Sequence, residues 1–219
     1  GDVYKRQRLT DVGAWRAPRV GNWWEREPQS VTDSLTYGGF YTQDDIREVV
    51  EYARERFITV VPEIDVPGHS MALLTAYPEI SCTGGPFHVN VGNTFYTKEE
   101  NSLCVGKEKT FAILDMIFDE LVDLFPSSYI HIGGDECYKG FWAKCPDCRA
   151  RMSSKQLQNV EELQSYFVKR VASHMQSKGK HVIGWDEILE GGLAKDAIVM
   201  SWRGMKGGVE AARQGHRVI

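Results

Sequence analysis

Short apolar runs alternate with longer amphipathic stretches along most of the chain. The runs have the length of strands and are rich in β-branched residues: FITVVPEID (57–65), YIHIGG (129–134), HVIGWDE (181–187), AIVMSW (197–202) and the beginning of a further one, HRVI (216–219). The stretches between them place apolar residues at helical spacing, as in residues 109–125 and 160–179. Strands that are apolar on both faces and separated by helices predict a parallel α/β sheet with both faces covered.

Local signals mark where the predicted helices begin and end. Thr42 and Asp45, three residues apart, form the pattern of a capping box, which predicts that a helix starts there. Pro126 stops the predicted helix over 109–125, and Gly179 stops the one over 160–179. Each predicted helix therefore lies next to a predicted strand.

Polar residues gather where the predicted strands end. The motifs PEIDVPGH, GGDE, GWDE and MSWRG each follow an apolar run. In a (β/α)-barrel the carboxyl ends of all the strands form the rim that carries the active site, whereas a doubly wound sheet concentrates its site at one switch point. The glycine-rich nucleotide-binding motifs GxGxxG and GxxxxGK are missing, which further weakens the doubly wound alternative. The sequence favours a (β/α)-barrel.

Composition narrows the possible partners. Of the 219 residues, 42% are hydrophobic and 26% are charged, a balance that can fill a globular core. The net charge of −4 lacks the basic footprint of nucleic-acid binding, and no apolar run approaches the roughly 18 residues of a membrane span. Neutral small molecules remain as ligands, and the oligomeric state stays open. Residues 1–7 lack the apolar segment of a secretion signal, and we expect them to be a non-native leader before a partial barrel domain over residues 8–219.

Asp135 and Glu136 are adjacent acids at the end of a predicted buried strand. Neighbouring residues of a strand point to opposite faces, so both side chains reach one pocket only if the chain bends there. Gly133 and Gly134 permit such a bend. An ionised Asp135 would favour the protonated form of Glu136, which could then give a proton to a leaving group. The alternative is that the two acids cap the following helix.

Two tryptophans and a histidine are predicted to lie at the same rim. Trp185 and Trp202 end consecutive strands, where an indole N–H needs a partner and an indole face suits the apolar C–H faces of a sugar. Packing in the core is the alternative for either tryptophan. His69 follows a VPG turn and shares its loop with Glu63 and Asp65. This turn would aim the imidazole over the rim.

Metal ligation is a competing use of these side chains. The residues that could gather around an ion are Asp65, His69, His131, Asp135 and Glu136. The HExxH and HxH spacings of metal-binding motifs are missing, however. We therefore predict no metal and no other cofactor at this rim.

The five cysteines allow two interpretations. A bridge between Cys82 and Cys104 would contribute on the order of 3 kcal/mol in an oxidising compartment. The CPDC segment, with Cys145 and Cys148 and with Cys137 nearby, has half of the spacing of a zinc knuckle. A second CxxC or a matched histidine pair is missing. We therefore expect a surface loop with reduced or paired thiols rather than a zinc site.

Four motifs, in order along the chain, resemble those of the family-20 glycoside hydrolases, the β-N-acetylhexosaminidases. They are VVPEIDVPGH, HIGGDE, GWDEI and MSWRG. GGFYTQDDIREVVEYA is similar to the same family, and CPDCRAR is similar to its bacterial members in particular. The resemblance covers the chain from about Leu9 to Ile219. It implies a (β/α)8 TIM barrel that hydrolyses terminal GlcNAc or GalNAc from N-acetylhexosamine-containing glycans with retention of configuration.

The resemblance also implies a role for each site residue. Glu136 would be the general acid and base, and Asp135 would orient the 2-acetamido group of the substrate. The carbonyl oxygen of that group would be the nucleophile and would give an oxazolinium intermediate, since this family relies on substrate assistance. The substrate-binding residues implied are Asp65, His69, Trp185 and Trp202, with the two tryptophans walling the acetamido pocket.

By the family's pattern, the barrel is incomplete in this chain. Strands three to six of eight and the start of the seventh are expected, without the arginine that grips the sugar hydroxyls upstream. The chain alone is therefore expected to be inactive. Glycan substrates and possible disulfides suggest a periplasmic or extracellular location.

Two other functions stay open at this point. A conventional retaining glycosidase would use Glu136 as the acid and Glu187 as the nucleophile, although the resemblance gives Glu187 no catalytic task. A non-catalytic carbohydrate-binding module would use the tryptophans and would have no turnover.

Overall fold

Helices and short strands alternate along the chain in the computed structural model, which describes residues 3–30, 32–92 and 98–219. In chain order the elements are α1 (Val3–Asp11), β1 (Trp15–Arg16), β2 (Tyr37–Gly38), α2 (Gln43–Arg54), α3 (Met71–Ala76), α4 (Glu108–Leu124), β3 (Tyr129–His131), α5 (Gly140–Lys144), α6 (Pro146–Ser154), α7 (Val160–Ser177), β4 (His181–Trp185), β5 (Ile198–Met200) and α8 (Met205–Arg213). Short 3₁₀ helices cover Trp23–Glu25, Pro78–Ile80 and Asp186–Leu189. Residues 3–7, expected to be a leader, form the first part of α1.

A parallel sheet in the order β3-β4-β5 carries the second half of the chain. Ile130 is the partner of Val182, and Gly184 is the partner of Val199. The segment after β5 continues the sheet, because a parallel bridge joins Val218 to Val199. The strands therefore follow one another in chain order without the reversal that defines a doubly wound sheet. The parallel α/β prediction is confirmed.

The segment before β3 departs from the predicted strand over residues 57–65. Only its second half pairs: the Ile64 N–H donates to the His131 carbonyl (3.0 Å), and the His131 N–H donates to the Pro62 carbonyl (2.9 Å). The start of the run instead forms the stop after α2, where Phe57 has a φ of 58° and the Ile58 N–H donates to the Ala53 carbonyl (3.0 Å). Such a left-handed stop satisfies a carbonyl of the last helical turn, and the Ile58 N–H is thereby unavailable to a strand ladder. The prediction of a strand over 57–61 is wrong.

The predicted helix starts and stops agree closely with the structure. Thr42 caps α2 through a capping box with Asp45, as predicted. α4 ends two residues before Pro126, and α7 ends two residues before Gly179. The two long helices pack together, and the rings of Phe111 and Phe167 lie 5.8 Å apart.

Apolar side chains from these helices and strands form one continuous buried cluster. Its members include Phe118 of α4, Leu163 of α7 and Ile130 of β3. The cluster includes Ile130 of β3, Val182 of β4 and Val199 of β5, so it holds together the strands that carry the polar motifs. Among the residues that the structure describes, no helix combines the length and the apolar character needed to cross a bilayer.

Candidate active site

The chain bends sharply at the carboxyl end of β3. Gly133 and Gly134 have φ values of 68° and 96°, and Glu136 has a φ of 43°. A Cβ atom placed on Gly133 would overlap the Asp65 side chain, so this position needs glycine for space as well as for its left-handed backbone. The predicted bend is confirmed. It brings the GGDE segment against the loop that carries Asp65.

Three acids of the predicted site meet around the imidazole of His69. His69 Nε2 lies 3.4 Å from Asp135 Oδ2 and 3.4 Å from Glu136 Oε2. It lies 4.0 Å from Asp65 Oδ2. His69 has a φ of 46°, a conformation that non-glycine residues rarely adopt and that is often found at functional sites. The acids of β3 and the acid–histidine loop thus form a single cluster.

Burial and mutual repulsion set the charges within this cluster. Burial, together with the neighbouring charge of Asp135, raises the pKa of Asp65 from 3.8 to about 7. The hydrogen bond with Asp135 raises the pKa of His69, although burial opposes that shift. Burial alone would raise the pKa of Asp135, but the interaction with His69 lowers it overall. Near neutral pH Asp135 is therefore ionised, and the neighbouring carboxylates favour the protonated form of His69.

Asp135 and Glu136 differ in their exposure. The Asp135 side chain is 16% exposed, whereas the Glu136 side chain is 50% exposed. Asp135 Oδ1 is buried, and none of the described N–H or O–H groups donates to it. Asp135 therefore offers a fixed acceptor, and Glu136 stands open to a molecule arriving from solvent.

The two predicted tryptophans form a second group, at the ends of β4 and β5. Their rings meet edge to face, with centroids 6.5 Å apart. The Trp185 Nε1–H donates to Glu63 Oε1 (3.1 Å), and the Trp202 Nε1–H donates to Glu187 Oε2 (3.0 Å). Trp202 is 51% exposed. Each indole N–H has a carboxylate partner, so both ring orientations are fixed.

His131 connects the tryptophan group to the acid cluster. Its ring centroid lies 4.6 Å from that of Trp185, and its Nδ1 lies 3.2 Å from Glu63 Oε1. His131 is 4% exposed, and burial lowers its pKa. The neighbouring charges of Glu63 and Asp135 act on it in the opposite direction. The His131 side chain is therefore packed inside the sheet rather than exposed at the rim.

Glu63 and Glu187 are more important to the site than the sequence indicated. Both acids hold an indole N–H, and Arg203 Nε lies 3.6 Å from Glu187 Oε1. Arg203 also pairs with Asp186 (3.2 Å). The sequence does carry a signal for part of this arrangement. Glu187 comes two residues after Trp185 at the end of one strand, and the pair Trp202-Arg203 follows the end of the next strand.

Two groups of described residues could hold a metal ion. One is Asp65, His69 and Asp135, in which His69 already pairs with Asp135. The other consists of Cys82, Cys104, Cys145 and Cys148. All five cysteines are free thiols, and the cluster excludes Cys137. The sequence-based expectation that CPDC has no matching ligands is therefore wrong, because the matching pair comes from two separate loops.

The chain is similar to proteins of one glycoside hydrolase family. Residues 2–219 match the family described as glycosyl hydrolase family 20, catalytic domain. The chain is 45% identical, over 218 residues, to a beta-hexosaminidase of Porphyromonas gingivalis. The aligned region makes up 100% of this chain and 26% of that protein. The similarity spans both groups of site residues.

Solved structures share the fold. The crystal structure of a beta-N-acetylhexosaminidase from Bacteroides fragilis NCTC 9343 has a TM-score of 0.77 at 35% identity, over 97% of this chain and 39% of that one. The exo beta-N-acetylglucosaminidase from Vibrio harveyi, solved in complex with N-acetylglucosamine, has a TM-score of 0.77 at 33% identity, over 96% of this chain and 32% of that one. The chain thus spans 26% to 39% of the length of these relatives. It belongs to glycosyl hydrolase family 20.

Proposed function

We propose that this chain forms part of the catalytic domain of a β-N-acetylhexosaminidase, which releases terminal GlcNAc or GalNAc from glycans with retention of configuration. Family membership and the beta-hexosaminidase relatives support the reaction class. The fold supports it too, and we assign the parallel segments from Glu63 to Val218 to strands three to seven of an eight-stranded barrel.

The observation that carries the mechanism is the arrangement of Asp135 and Glu136 around His69. Asp135 is ionised, held by His69, and has one buried oxygen, Oδ1, to which no described N–H or O–H group donates. An amide N–H of the substrate would satisfy that oxygen. A carboxylate at this place also stabilises the positive charge that builds up on an acetamido group as its carbonyl oxygen attacks the anomeric carbon.

Glu136 supplies the proton in the first step. It protonates the glycosidic oxygen while the bond from that oxygen to the anomeric carbon breaks. The new bond from the acetamido oxygen closes an oxazolinium ring, so the positive charge moves onto the substrate's own amide. In the second step Glu136, now a carboxylate, takes a proton from water. The water oxygen then opens the ring from the opposite face, which restores the acetamido group and the original configuration.

Trp185 and Trp202 give the acetamido group its apolar surroundings. Their edge-to-face contact forms an indole corner, and Glu63 and Glu187 hold its two N–H groups. Apolar walls around a small methyl group favour a substrate that carries it over one with a hydroxyl. We assign selection for the 2-acetamido sugar to this corner.

Glu187 is a poor candidate for a conventional nucleophile. It is 7% exposed, accepts the Trp202 N–H and lies next to Arg203. Burial raises its pKa, which further disfavours the anion that a nucleophile needs. The geometry of Glu187 fits a role in positioning Trp202.

A segment exchange tests the proposal, because the chain spans 26% of its Porphyromonas gingivalis relative. The matching segment of that enzyme is replaced by this chain, and hydrolysis of 4-nitrophenyl N-acetyl-β-glucosaminide is measured. We expect activity, with a loss of about 10²- to 10⁴-fold in kcat for Glu136→Gln. Glu48→Gln, an exposed acid of α2, is the matched control and should leave kcat unchanged.

The same exchanged protein distinguishes the mechanisms. A thiazoline that mimics the cyclised acetamido sugar should inhibit it, and a 2-fluoro glycoside should not trap it. Equal activity on the plain 4-nitrophenyl β-glucoside would contradict substrate assistance. Trapping of a covalent intermediate on Glu187 would establish the conventional mechanism instead.

A further inference from the structure

Four cysteine sulfurs come together away from the acid cluster. Cys104 Sγ lies 3.6 Å from Cys148 Sγ and 3.7 Å from Cys145 Sγ, and Cys82 Sγ lies 3.8 Å from Cys148 Sγ. All four sulfurs lie within 4.8 Å of one another. Cys104 and Cys148 are fully buried, and Cys145 is 4% exposed.

These spacings fit a tetrahedral metal site. A zinc–sulfur bond of about 2.3 Å places the sulfurs of a tetrahedral Cys₄ site about 3.8 Å apart. A disulfide would need two sulfurs at about 2.05 Å. We infer that Cys82, Cys104, Cys145 and Cys148 bind one Zn²⁺ ion as thiolates, in a closed structural site. Each thiol would lose its proton to solvent as its sulfur binds the ion.

The start of α6 presents two of the ligands. Cys145 is the N-cap residue, Pro146 follows at the first helical position, and Cys148 lies in the first turn. The positive end of a nine-residue helix favours thiolates at these positions. A CxxC at a helix start also points both side chains to the same side, since the residues are three apart.

The loop before α4 presents the third ligand, and its shape is fixed by several contacts. The Thr110 hydroxyl donates to the Cys104 carbonyl (2.7 Å), and the Trp142 indole donates to the Leu103 carbonyl (2.9 Å). A Cβ atom on Gly106 would overlap the backbone of Asp147 and Cys148. Glycine at this position lets the loop press directly against the CxxC turn.

The fourth ligand, Cys82, follows the 3₁₀ helix Pro78–Ile80, and this loop is tied to the others by hydrogen bonds. The Cys104 N–H donates to the Ile80 carbonyl (2.8 Å), and the Cys82 N–H donates to Glu100 Oε1 (2.5 Å). Three separate segments therefore hold the sulfurs in place before any ion arrives. Four buried thiols could instead pack as small apolar groups, and metal content separates the two cases.

A metal ion in this cluster would stabilise a neighbouring turn of the candidate active site. The Leu103 N–H donates to the Pro67 carbonyl (2.9 Å), and the Ser70 N–H donates to the Asn101 carbonyl (3.0 Å). The segment that carries Cys104 thus supports the turn that carries His69. A site with four protein ligands leaves no position for substrate, so the ion would brace this turn rather than take part in the reaction.

The test measures the metal and its ligands in the 219-residue chain, so its result does not depend on hydrolytic activity. The chain is purified under reducing conditions, supplied with zinc and freed of unbound ions. We expect one zinc per chain, and X-ray absorption at the zinc edge should find four sulfur neighbours at about 2.3 Å. Cys148→Ser should lose most of the zinc, whereas Cys137→Ser, which changes the cysteine outside the cluster, should keep it.

Three results would overturn the inference. They are a wild-type chain that retains no zinc, nitrogen or oxygen neighbours in place of sulfur, and a folded Cys148→Ser variant that keeps all of the zinc. If Cys148→Ser fails to fold, the absorption spectrum of the wild type decides alone. Substitution with Co²⁺ gives a second readout, because four thiolates produce sulfur-to-metal charge-transfer bands that histidine or carboxylate ligands do not.

Discussion

The imidazole of His69 lies among three carboxyl groups, and its position decides which of them keeps its charge. Asp135 and Glu136 lie 3.4 Å from Nε2, while Asp65 lies 4.0 Å away. A single imidazole cannot fully compensate three carboxylates in a half-buried site. Asp65 is the acid that gives up its charge, because burial and the charge of Asp135 raise its pKa to about 7. Asp135 stays ionised, which is the state that the proposed mechanism requires.

Replacing Asp65 with Asn should change how stability depends on pH. The folded state holds the Asp65 proton up to about pH 7, whereas the unfolded state loses it near pH 3.8. Between these values the folded state binds more protons, so ionisation of Asp65 lowers the free energy of unfolding as the pH rises. Asp65→Asn removes this contribution. Urea unfolding from about pH 4 to about pH 8 should therefore show the variant gaining stability relative to the wild type as the pH increases.

The matched control for this pH series is Asp123→Asn, which changes an exposed carboxyl of α4. Its stability should run parallel to that of the wild type across the series. If the Asp65→Asn curve were also parallel to the wild type, the folded and unfolded states would bind the Asp65 proton equally. The burial argument for this cluster would then fail.

At the scale of elements, the turn after β3 is the part that the sequence specifies most tightly. Gly133 has a φ of 68°, and a Cβ atom there would overlap Asp65. Gly179, after α7, has a φ of 73° and open space around the corresponding position. The two glycines have nearly the same backbone conformation and differ in their surroundings. They form a natural matched pair.

Replacing each of these glycines with alanine should separate the energetic cost of backbone strain from the cost of steric overlap with Asp65. Gly179→Ala should cost about 1–2 kcal/mol, the penalty of a left-handed conformation for a residue with a Cβ. Gly133→Ala adds the displacement of Asp65 and should cost about 2–5 kcal/mol in total. Urea unfolding of both variants measures the difference. Equal losses would mean that the Asp65 loop moves aside freely and does not hold the cluster together.

Helices were more predictable than strands because their boundary signals are local. The capping box of α2 lies within four consecutive residues, Thr42 to Asp45. Whether Ile58 begins a strand depends instead on competition for its N–H. The Ala53 carbonyl takes that hydrogen bond, and the helix stop overrides the β-branched run that follows it. An apolar pattern alone does not decide between a helix end and a distant strand.

At the scale of the whole molecule, the sequence predicts site contacts between neighbours in the chain and misses contacts between residues that are far apart in it. Asp135 and Glu136 are adjacent, so one motif finds both. Glu63 and Trp185 meet only because β3 and β4 pair in a particular register. The cysteine cluster has the same origin, since its ligands come from two loops and one helix start. Such pairings follow from the packed sheet and not from any local pattern.

The buried cluster that the helices share with the sheet leads to the last prediction at this scale. Phe118 is fully buried within the cluster that links α4, α7 and the sheet. Phe118→Ala should lower the free energy of unfolding by about 3–5 kcal/mol, through lost burial and the cavity left behind. Phe57→Ala changes a phenylalanine that is 98% exposed and should stay within about 0.5 kcal/mol of the wild type.

Because the core is shared between the helices and the sheet, the loss at Phe118 should affect every part of the fold at once. Far-ultraviolet circular dichroism reports the helices, and tryptophan fluorescence includes the signals of Trp185 and Trp202 at the strand ends. In urea, both probes should shift to the same lower midpoint in Phe118→Ala and remain coincident. If only the helical signal shifted, α4 would unfold apart from the sheet. The strand ends would then keep the site without the support of the core beneath them.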